Sequence, residues 1–358
     1  MINKNFYEQA KELAQQRNIS LEDVYEIFKK SLVSSYKKIY GNTSCRVTLN
    51  PEKNEILLTG LKKVVSEYSE EKNDELEEIL LEDAKKIKAS AKIGDILEQN
   101  INIKNFGRSA IQASKQICVQ DIKTKQREIA LTHFKELEGE MVTGIVSNIA
   151  EKYIALDMGY NTTARISMTE LLPTDHFKIG DRVKVFLKKV EETSTEPRLI
   201  LSRQDRNLLN RLLESYIPEI KEGIIEVKGI ARDPGDRCKI AVMSNDPNVD
   251  PIGSCVGEGG SRIKEIVSSL GGEKVDLYRY SDNPEELITN SLQPASVTKI
   301  LSIDLENKSS IVIVPDEQLS LAIGKSGQNV RLAVQSSGWK IDIMPLGKAY
   351  DEGLIDIF

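Results

Sequence analysis

Two stretches of this chain repeat one short pattern, and nothing else in it limits the possible folds so tightly. Residues 256–277 read VGEGGSRIKEIVSSLGGEKVDL and residues 323–343 read IGKSGQNVRLAVQSSGWKIDI. Each begins with an apolar residue and a Gly-x-x-Gly turn, with Ile or Val three residues after the second Gly. A helix-length stretch, a Gly and a Lys-apolar-Asp-apolar run in strand alternation come next. Gly257 and Gly324 lie 67 residues apart, and Lys274 and Lys340 lie 66 apart, so the copies differ by one inserted residue. Repetition this faithful predicts two successive modules of one architecture. Both read helix, strand, strand, helix, glycine turn, helix, strand. In the first, strands at 224–231 and 238–242 flank the turn Asp233-Pro234-Gly235-Asp236; in the second, strands at 297–305 and 311–314 flank Glu306-Asn307-Lys308. Ile263, Ile266, Val267 and Leu270 form a buried helical stripe, matched by Val330, Ala333 and Val334.

The chemistry of such a turn is anion binding. A helix N-terminus carries unpaired N–H groups and a partial positive charge, so a glycine turn leading into one attracts phosphate. Glycine lets a nucleotide backbone approach where a Cβ would stand. In the second turn, Gly324-Lys325-Ser326-Gly327, Lys325 adds a cation and Ser326 a hydroxyl, and Gln328, Asn329 and Arg331 lie within the next helical turn. The first turn, Gly257-Glu258-Gly259-Gly260, puts a carboxylate where phosphate would pass, with Arg262 and Lys264 nearby to offset it. Weaker phosphate contact, or contact through bases, is expected there. Gly324-Lys325-Ser326 also matches the end of a nucleotide-binding P-loop, but Leu319 stands where that motif needs its first glycine.

At 358 residues the chain is long enough for several domains. Residues 5–38 read as a helical pair, with Leu21, Val24, Tyr25, Phe28 and Leu32 on one apolar stripe, Ser20 and Asp23 as its cap, and Gly41-Asn42 as its end. Strands are expected at 45–49 and 56–58, and residues 66–83, dense in carboxylates, as a solvated loop and helix face. A continuous helix from Phe106 to about Leu137 would form a rod of roughly 45 Å, holding the N-terminal domain away from the rest of the chain. Five short strands at 142–146, 153–157, 162–166, 183–190 and 199–201 fit a small closed barrel of the OB type. A helix at 206–216, ended by Pro218, leads into the first repeated module.

Charge argues against a broad basic surface. The net charge is −6, and residues 206–348 hold 17 Lys and Arg against 20 Asp and Glu. Nucleic-acid binding would therefore rest on backbone donors and a few placed cations. Aromatic residues are only 5%, so stacking is not the dominant mode, and Trp339 reads as core. Cys45, Cys118, Cys238 and Cys255 are scattered, without zinc-type spacing or a disulfide framework. No apolar run approaches membrane-spanning length and the N-terminus is unlike a signal peptide, which points to reduced cytosol. His133 on the long helix and His176 in a barrel loop have no catalytic partners in the sequence; both read as surface or packing residues, and no enzyme activity or cofactor is expected.

With these residues in hand, the chain resembles the NusA family of bacterial transcription elongation, pausing and termination factors over essentially its whole length. The stretches ARDPGDRCKIAVMSNDPNVDPIGSCVGEGGSR and VPDEQLSLAIGKSGQNVRLAVQSSGWKIDI carry most of the resemblance, with Phe106-Gly107-Arg108, Ala110, Gln112 and Lys115-Gln116 similar to the family's N-terminal signature. It implies a multidomain α+β chain: an α/β N-terminal domain with a long linker helix (1–136), an S-one-type OB barrel (137–203), two tandem type II K-homology (KH) modules (204–281 and 282–349) and a short tail (350–358). The Gly-x-x-Gly loop of a KH module clamps a single-stranded backbone of about four nucleotides. The resemblance further implies docking on RNA polymerase near its RNA exit channel, through a face on which Arg108, Gln112 and Lys115 fall at i, i+4 and i+7. Nascent single-stranded RNA and other Nus factors would be the remaining partners of a cytoplasmic monomer. Three departures stand out. Glu258-Gly259 replaces an apolar residue and Arg. Lys152, Ala155 and Ser167 stand where many such barrels carry stacking aromatics and a His, leaving Tyr153 as the nearest substitute. The acidic C-terminal repeats of some members do not come after the second KH module, so regulation through them is not expected.

Two other readings compete. A ribosome-associated or RNA-decay adaptor could reuse the barrel and KH modules, but would have no need of the 106–116 signature on a long helix. A nucleotide hydrolase built on the glycine turns lacks the P-loop glycine and a metal-binding carboxylate set.

Overall fold

The computed structural model describes residues 6–41, 44–68, 76–102, 106 and 108–354. They divide into two compact units, one of Met1–His133 with Tyr160–Thr162 and Thr193–Pro197, the other of Phe134–Gly159, Thr163–Glu192 and Arg198–Phe358.

In the first unit, α1 (Phe6–Arg17) and α2 (Leu21–Tyr40) form the expected helical pair. Ser20 Oγ accepts from Asp23 N at 3.0 Å and donates to Asp23 Oδ2 at 2.7 Å, closing the cap read from the sequence. Then come β1 (Cys45–Asn50), β2 (Glu55–Val65), β3 (Glu77–Leu80), α3 (Leu81–Ile87) and β4 (Ile96–Ile101). The long β2 is central, antiparallel to β1 and β4 and parallel to β3. Gly60 on β2 makes room for the buried Tyr36, whose Oη would lie 2.7 Å from a Cβ there. The sequence pattern stops β2 short, gives no strand at β4, and makes 66–83 a loop and helix face. Within that stretch Glu77–Leu80 is a strand, and residues 69–75 lie outside the described residues.

The long helix α4 (Arg108–Glu136) is present, though not as a bare spacer. Small residues let it lie close along α2: Ser35 Oγ donates to the Ala110 carbonyl at 3.2 Å, and Ser114 Oγ to Ser31 Oγ at 3.1 Å. Phe106 and Ala110 share a buried cluster with Tyr36 and Leu58, while Ile122 and Ile129 pack on Ala10, Ala14 and Val24. Lys125 pairs with Asp23 at 2.8 Å. One face of the rod is thus core to its own unit.

The second unit opens with β5 (Met141–Ile149), β6 (Tyr153–Asp157), β7 (Thr163–Ser167), β8 (Arg182–Glu191) and β9 (Arg198–Ser202), an antiparallel sheet in the order β7-β6-β5-β8-β9. Its edge strands β7 and β9 lie against each other without a ladder, which nearly closes the barrel. Next are the helices α5 (Arg206–Tyr216) and α6 (Pro218–Lys221), then β10 (Ile225–Asp233), β11 (Arg237–Ser244), α7 (Pro251–Val256), α8 (Ser261–Ser269) and β12 (Lys274–Arg279). The second copy comprises α9 (Pro284–Ser291), β13 (Lys299–Asp304), β14 (Ser309–Val314), α10 (Leu319–Ile323), α11 (Gln328–Ser337) and β15 (Lys340–Pro345), with α12 (Leu346–Asp351) after it. Both sheets have the same topology: the first two strands antiparallel, the third parallel to the second.

Burial ties barrel and modules together. Phe186 of β8 shares one core with Leu208, Leu209, Leu212, Ile240 and Ile266. The ion pair Arg203 Nε–Asp175 Oδ2, at 2.7 Å, is 3% and 2% exposed, and Arg203 also donates to the carbonyls of Lys184 and Ser269. Buried charge is tolerable only with that many partners. Ala241 and Tyr278 of the first module in turn sit in the core of the second, beside Ile288, Leu292, Ala333 and Trp339. A Cβ on Gly229 would stand 1.9 Å from the Ser336 carbonyl oxygen, so only glycine lets β10 pass α11 so closely. The core continues across the divisions expected at 203/204 and 281/282.

Candidate nucleic-acid interface

The two glycine turns have the same backbone. Gly257, Gly259 and Gly260 have φ of 73, 59 and 76°; Gly324, Ser326 and Gly327 have 76, 53 and 76°. The first glycine of each turn is demanded from within. A Cβ on Gly257 would lie 2.8 Å from Arg262 Cγ, and one on Gly324 would lie 2.7 Å from Asn329 N. The last glycine differs: nothing stands within 4 Å of the Cβ position of Gly327. That side is open to an incoming chain, and the helix N–H groups lie behind it. Ser326 holds a left-handed conformation that costs a non-glycine residue about 1–2 kcal/mol. A strained polar residue at an exposed turn is what a ligand contact would retain.

The side chains separate the two turns. Lys325 and Ser326 project into solvent. Their expected companions are engaged elsewhere. Asn329 is 7% exposed; its Nδ2 donates to the carbonyls of Leu292 and Ala322, and its Oδ1 accepts from Lys239 Nζ at 2.8 Å. Gln328 Nε2 donates to Asp233 Oδ2 at 3.0 Å and Asp236 Oδ2 at 2.7 Å, and Arg331 pairs with Asp233 at 2.5 Å. The sequence pattern lines the second loop with these three. In the structure they fasten it to the first module, because a helix start that faces a neighbouring sheet commits its polar residues to that neighbour.

At the first turn, Arg262 Nη1 donates to Glu219 Oε2 and to the Ser254 carbonyl, both at 2.7 Å. Lys264 Nζ donates to the Gly259 carbonyl at 2.8 Å. Neither cation is aimed at a passing phosphate, and Glu258 is exposed. Lys239, at the join of the modules, is 1% exposed and donates to the carbonyls of Ser291 and Gln293 as well as to Asn329. With only neutral acceptors around its Nζ, burial pushes its pKa down to about 8.

Beside the first turn lies a groove that sequence reading does not identify, of about 820 Å³. Ile252, Val256, Ile263, Val275 and Leu277 give it an apolar wall, Arg237 and Asp276 pair at 2.7 Å along it, and residues 293–297 extend it toward the second module. The signal was there: Ile252 and Val256 at i, i+4, and Val275 and Leu277 on one strand face, are the groove-side halves of the repeated pattern. In the second module the exposed Leu321 and Ile323 flank the turn. On the barrel, Tyr153 is half-buried with the Arg165 guanidinium 5.0 Å from its ring centroid. On α4, Arg108, Gln112 and Lys115 are all exposed, with Ile111 and Val119 on the same face; Gly107 lies outside the described residues.

Among the described residues no helix is long and apolar enough to cross a membrane, and no group of three His, Cys, Asp or Glu is placed to hold a metal. His133 stacks on Tyr160 with ring centroids 4.1 Å apart, and Trp339 is core.

Comparison with known proteins covers nearly all of this architecture. Family models match at residues 5–128 (NusA N-terminal domain), 135–203 (S1 RNA binding domain), 203–280 (NusA-like first KH domain) and 284–351 (NusA-like second KH domain). The chain is similar to the transcription termination/antitermination protein NusA of Halalkalibacterium halodurans, 39% identical over 356 residues, covering 99% of this chain and 92% of that protein. The proteins of the same name from Bacillus subtilis and Thermus thermophilus are 40% and 38% identical, covering 96% and 95% of this chain and 91% and 89% of theirs.

Proposed function

The chain belongs to the NusA family, and on that premise we propose that it is an RNA-binding transcription factor that docks on RNA polymerase and contacts the nascent transcript to modulate pausing, intrinsic termination and antitermination. The observation that carries the RNA half of this reading is the second glycine turn: an open backbone at Gly327, an exposed Lys325, a strained Ser326 and a helix N-terminus behind them. The first module works through its groove, which takes bases against its apolar wall, and Glu258 keeps phosphate off its turn. On the barrel, Tyr153 with Arg165 offers one stacking platform. The exposed face of Arg108, Gln112 and Lys115 faces the polymerase. Tethering there raises the local concentration of weak RNA sites, which makes an RNA binder of net charge −6 workable.

In this reading the protein acts as a cytoplasmic monomer beside other Nus factors, in functional segments of 1–136, 137–203, 204–281 and 282–349. It performs no chemistry of its own. A reconstituted transcription reaction on a template with a pause site and an intrinsic terminator tests it. The wild-type chain should change pause lifetime or read-through. The Arg108→Ala, Gln112→Ala, Lys115→Ala triple variant should lose that effect while keeping its RNA affinity. An unchanged transcript pattern with the wild type would favour the ribosome or RNA-decay adaptor instead.

A further inference from the structure

The acidic turn that joins β10 to β11 occupies an unexpected place. Asp233 and Asp236 belong to the first module, yet their carboxylates converge on the first helical turn after the second module's glycine loop. There they accept from Gln328 and Arg331, residues one and four positions beyond Gly327. In the second module's own β13–β14 turn the corresponding carboxylate is used locally: Asp304 accepts from the backbone N–H groups of Glu306 and Asn307. Arg331 is 55% exposed and Asp233 25%, so the pair is a solvent-facing one of the kind that exchanges partners readily. The join between the modules does not depend on it, because Lys239, Asn329, Tyr278 and Ser336 hold the two together through buried hydrogen bonds.

We propose that this turn is a built-in competitor for RNA at the second loop. Its two carboxylates take the donors that a phosphate on Gly324–Gly327 would otherwise recruit, and they repel that phosphate directly. RNA binding then exchanges Arg331 from Asp233 to the backbone, and the free protein holds RNA less tightly than its loop would allow. This rests on the proposed RNA-binding function and names an intramolecular restraint on the same site. Such a restraint suits a factor that should engage RNA only where the transcript is concentrated beside it.

The test is a titration of a labelled, unstructured single-stranded RNA with the full-length chain at several KCl concentrations. The Asp233→Asn, Asp236→Asn double variant should bind about three- to tenfold more tightly at low salt, with the advantage narrowing as KCl screens the carboxylates. That gain should shrink when Arg331→Ala is added, leaving the part owed to direct repulsion and to Gln328. Asp236→Asn alone, at an exposed position whose carboxylate accepts from Gln328, should give a smaller gain in the same direction; it covers the case in which the double variant folds poorly. Equal or weaker binding by the Asn variants would overturn the proposal. So would an undiminished gain in the Arg331→Ala background, since a general charge effect would then suffice. If no variant binds RNA, including wild type, the proposed function itself fails. Wild-type binding without a gain in the Asn variants sinks only the competitor.

Discussion

Aligned on their glycine turns, the two KH modules place Arg262 opposite Asn329 and Lys264 opposite Arg331. The backbone at those positions is shared, but the side chains do different work. Arg262 folds back on its own module, onto Glu219 and the Ser254 carbonyl. Asn329 reaches across the join to Lys239 of the other module, and Arg331 to Asp233. The repeated pattern therefore fixes where a helix starts and how its turn is shaped, while the residues just inside the helix decide what the turn is attached to. In the second module they attach it to a neighbour and leave Lys325 and Ser326 facing outward. In the first they close the turn on itself, with a carboxylate in front.

The largest expected difference lies at that aligned pair. Asn329→Ala removes one of three acceptors from a buried ammonium, takes the side-chain donor from the Ala322 carbonyl and leaves the Leu292 carbonyl with the Ala295 N–H as its remaining donor, so it should destabilise the chain by roughly 2–4 kcal/mol in urea unfolding. Arg262→Ala removes a partly exposed ion pair and one carbonyl contact, and should cost about 1 kcal/mol. Equal losses would mean that the join is no more than a surface contact. A smaller effect should appear with pH. Below about pH 8 Lys239 is protonated in both folded and unfolded chains, and the cost of burying its charge is fully felt. Between about 8 and 10.5 the folded chain releases the proton while the unfolded chain keeps it. Stability relative to Lys239→Met should therefore rise across that window, by roughly 1–3 kcal/mol. A flat difference would mean that the ammonium is better solvated than its neighbours suggest.

Much of this was legible in the sequence because it is local. The barrel strands alternate, the turns carry glycine, and the helix at Leu21 announces itself by stripe and cap. What was not legible depends on distant partners. Asn329 reads as a polar residue beside a phosphate loop; only Lys239, 90 residues earlier, makes it a buried one. The strand Ile96–Ile101 has too little alternation to stand out, and Glu77–Leu80 is hidden in an acidic run that becomes a strand by pairing with β2. The long helix looked like a free rod because its packing residues, Ala110 and Ser114, are small rather than apolar. Ser31 and Ser35 on α2 were the matching half of that signal.

The central claim is that the second loop, and not the first, holds the RNA backbone. Affinity of the full-length chain for unstructured single-stranded RNA, measured in Lys325→Asp, Ser326→Asp against Glu258→Lys, tests it most directly. Asp tolerates the left-handed conformation at 326, so the turn should survive. The account predicts a loss of more than about tenfold in the double Asp variant, with a salt slope shallower by up to ~0.7 per phosphate lost, and a modest gain in Glu258→Lys as a new cation meets the backbone. Unchanged affinity in the double Asp variant would contradict it and move the phosphate contact away from Gly324–Gly327.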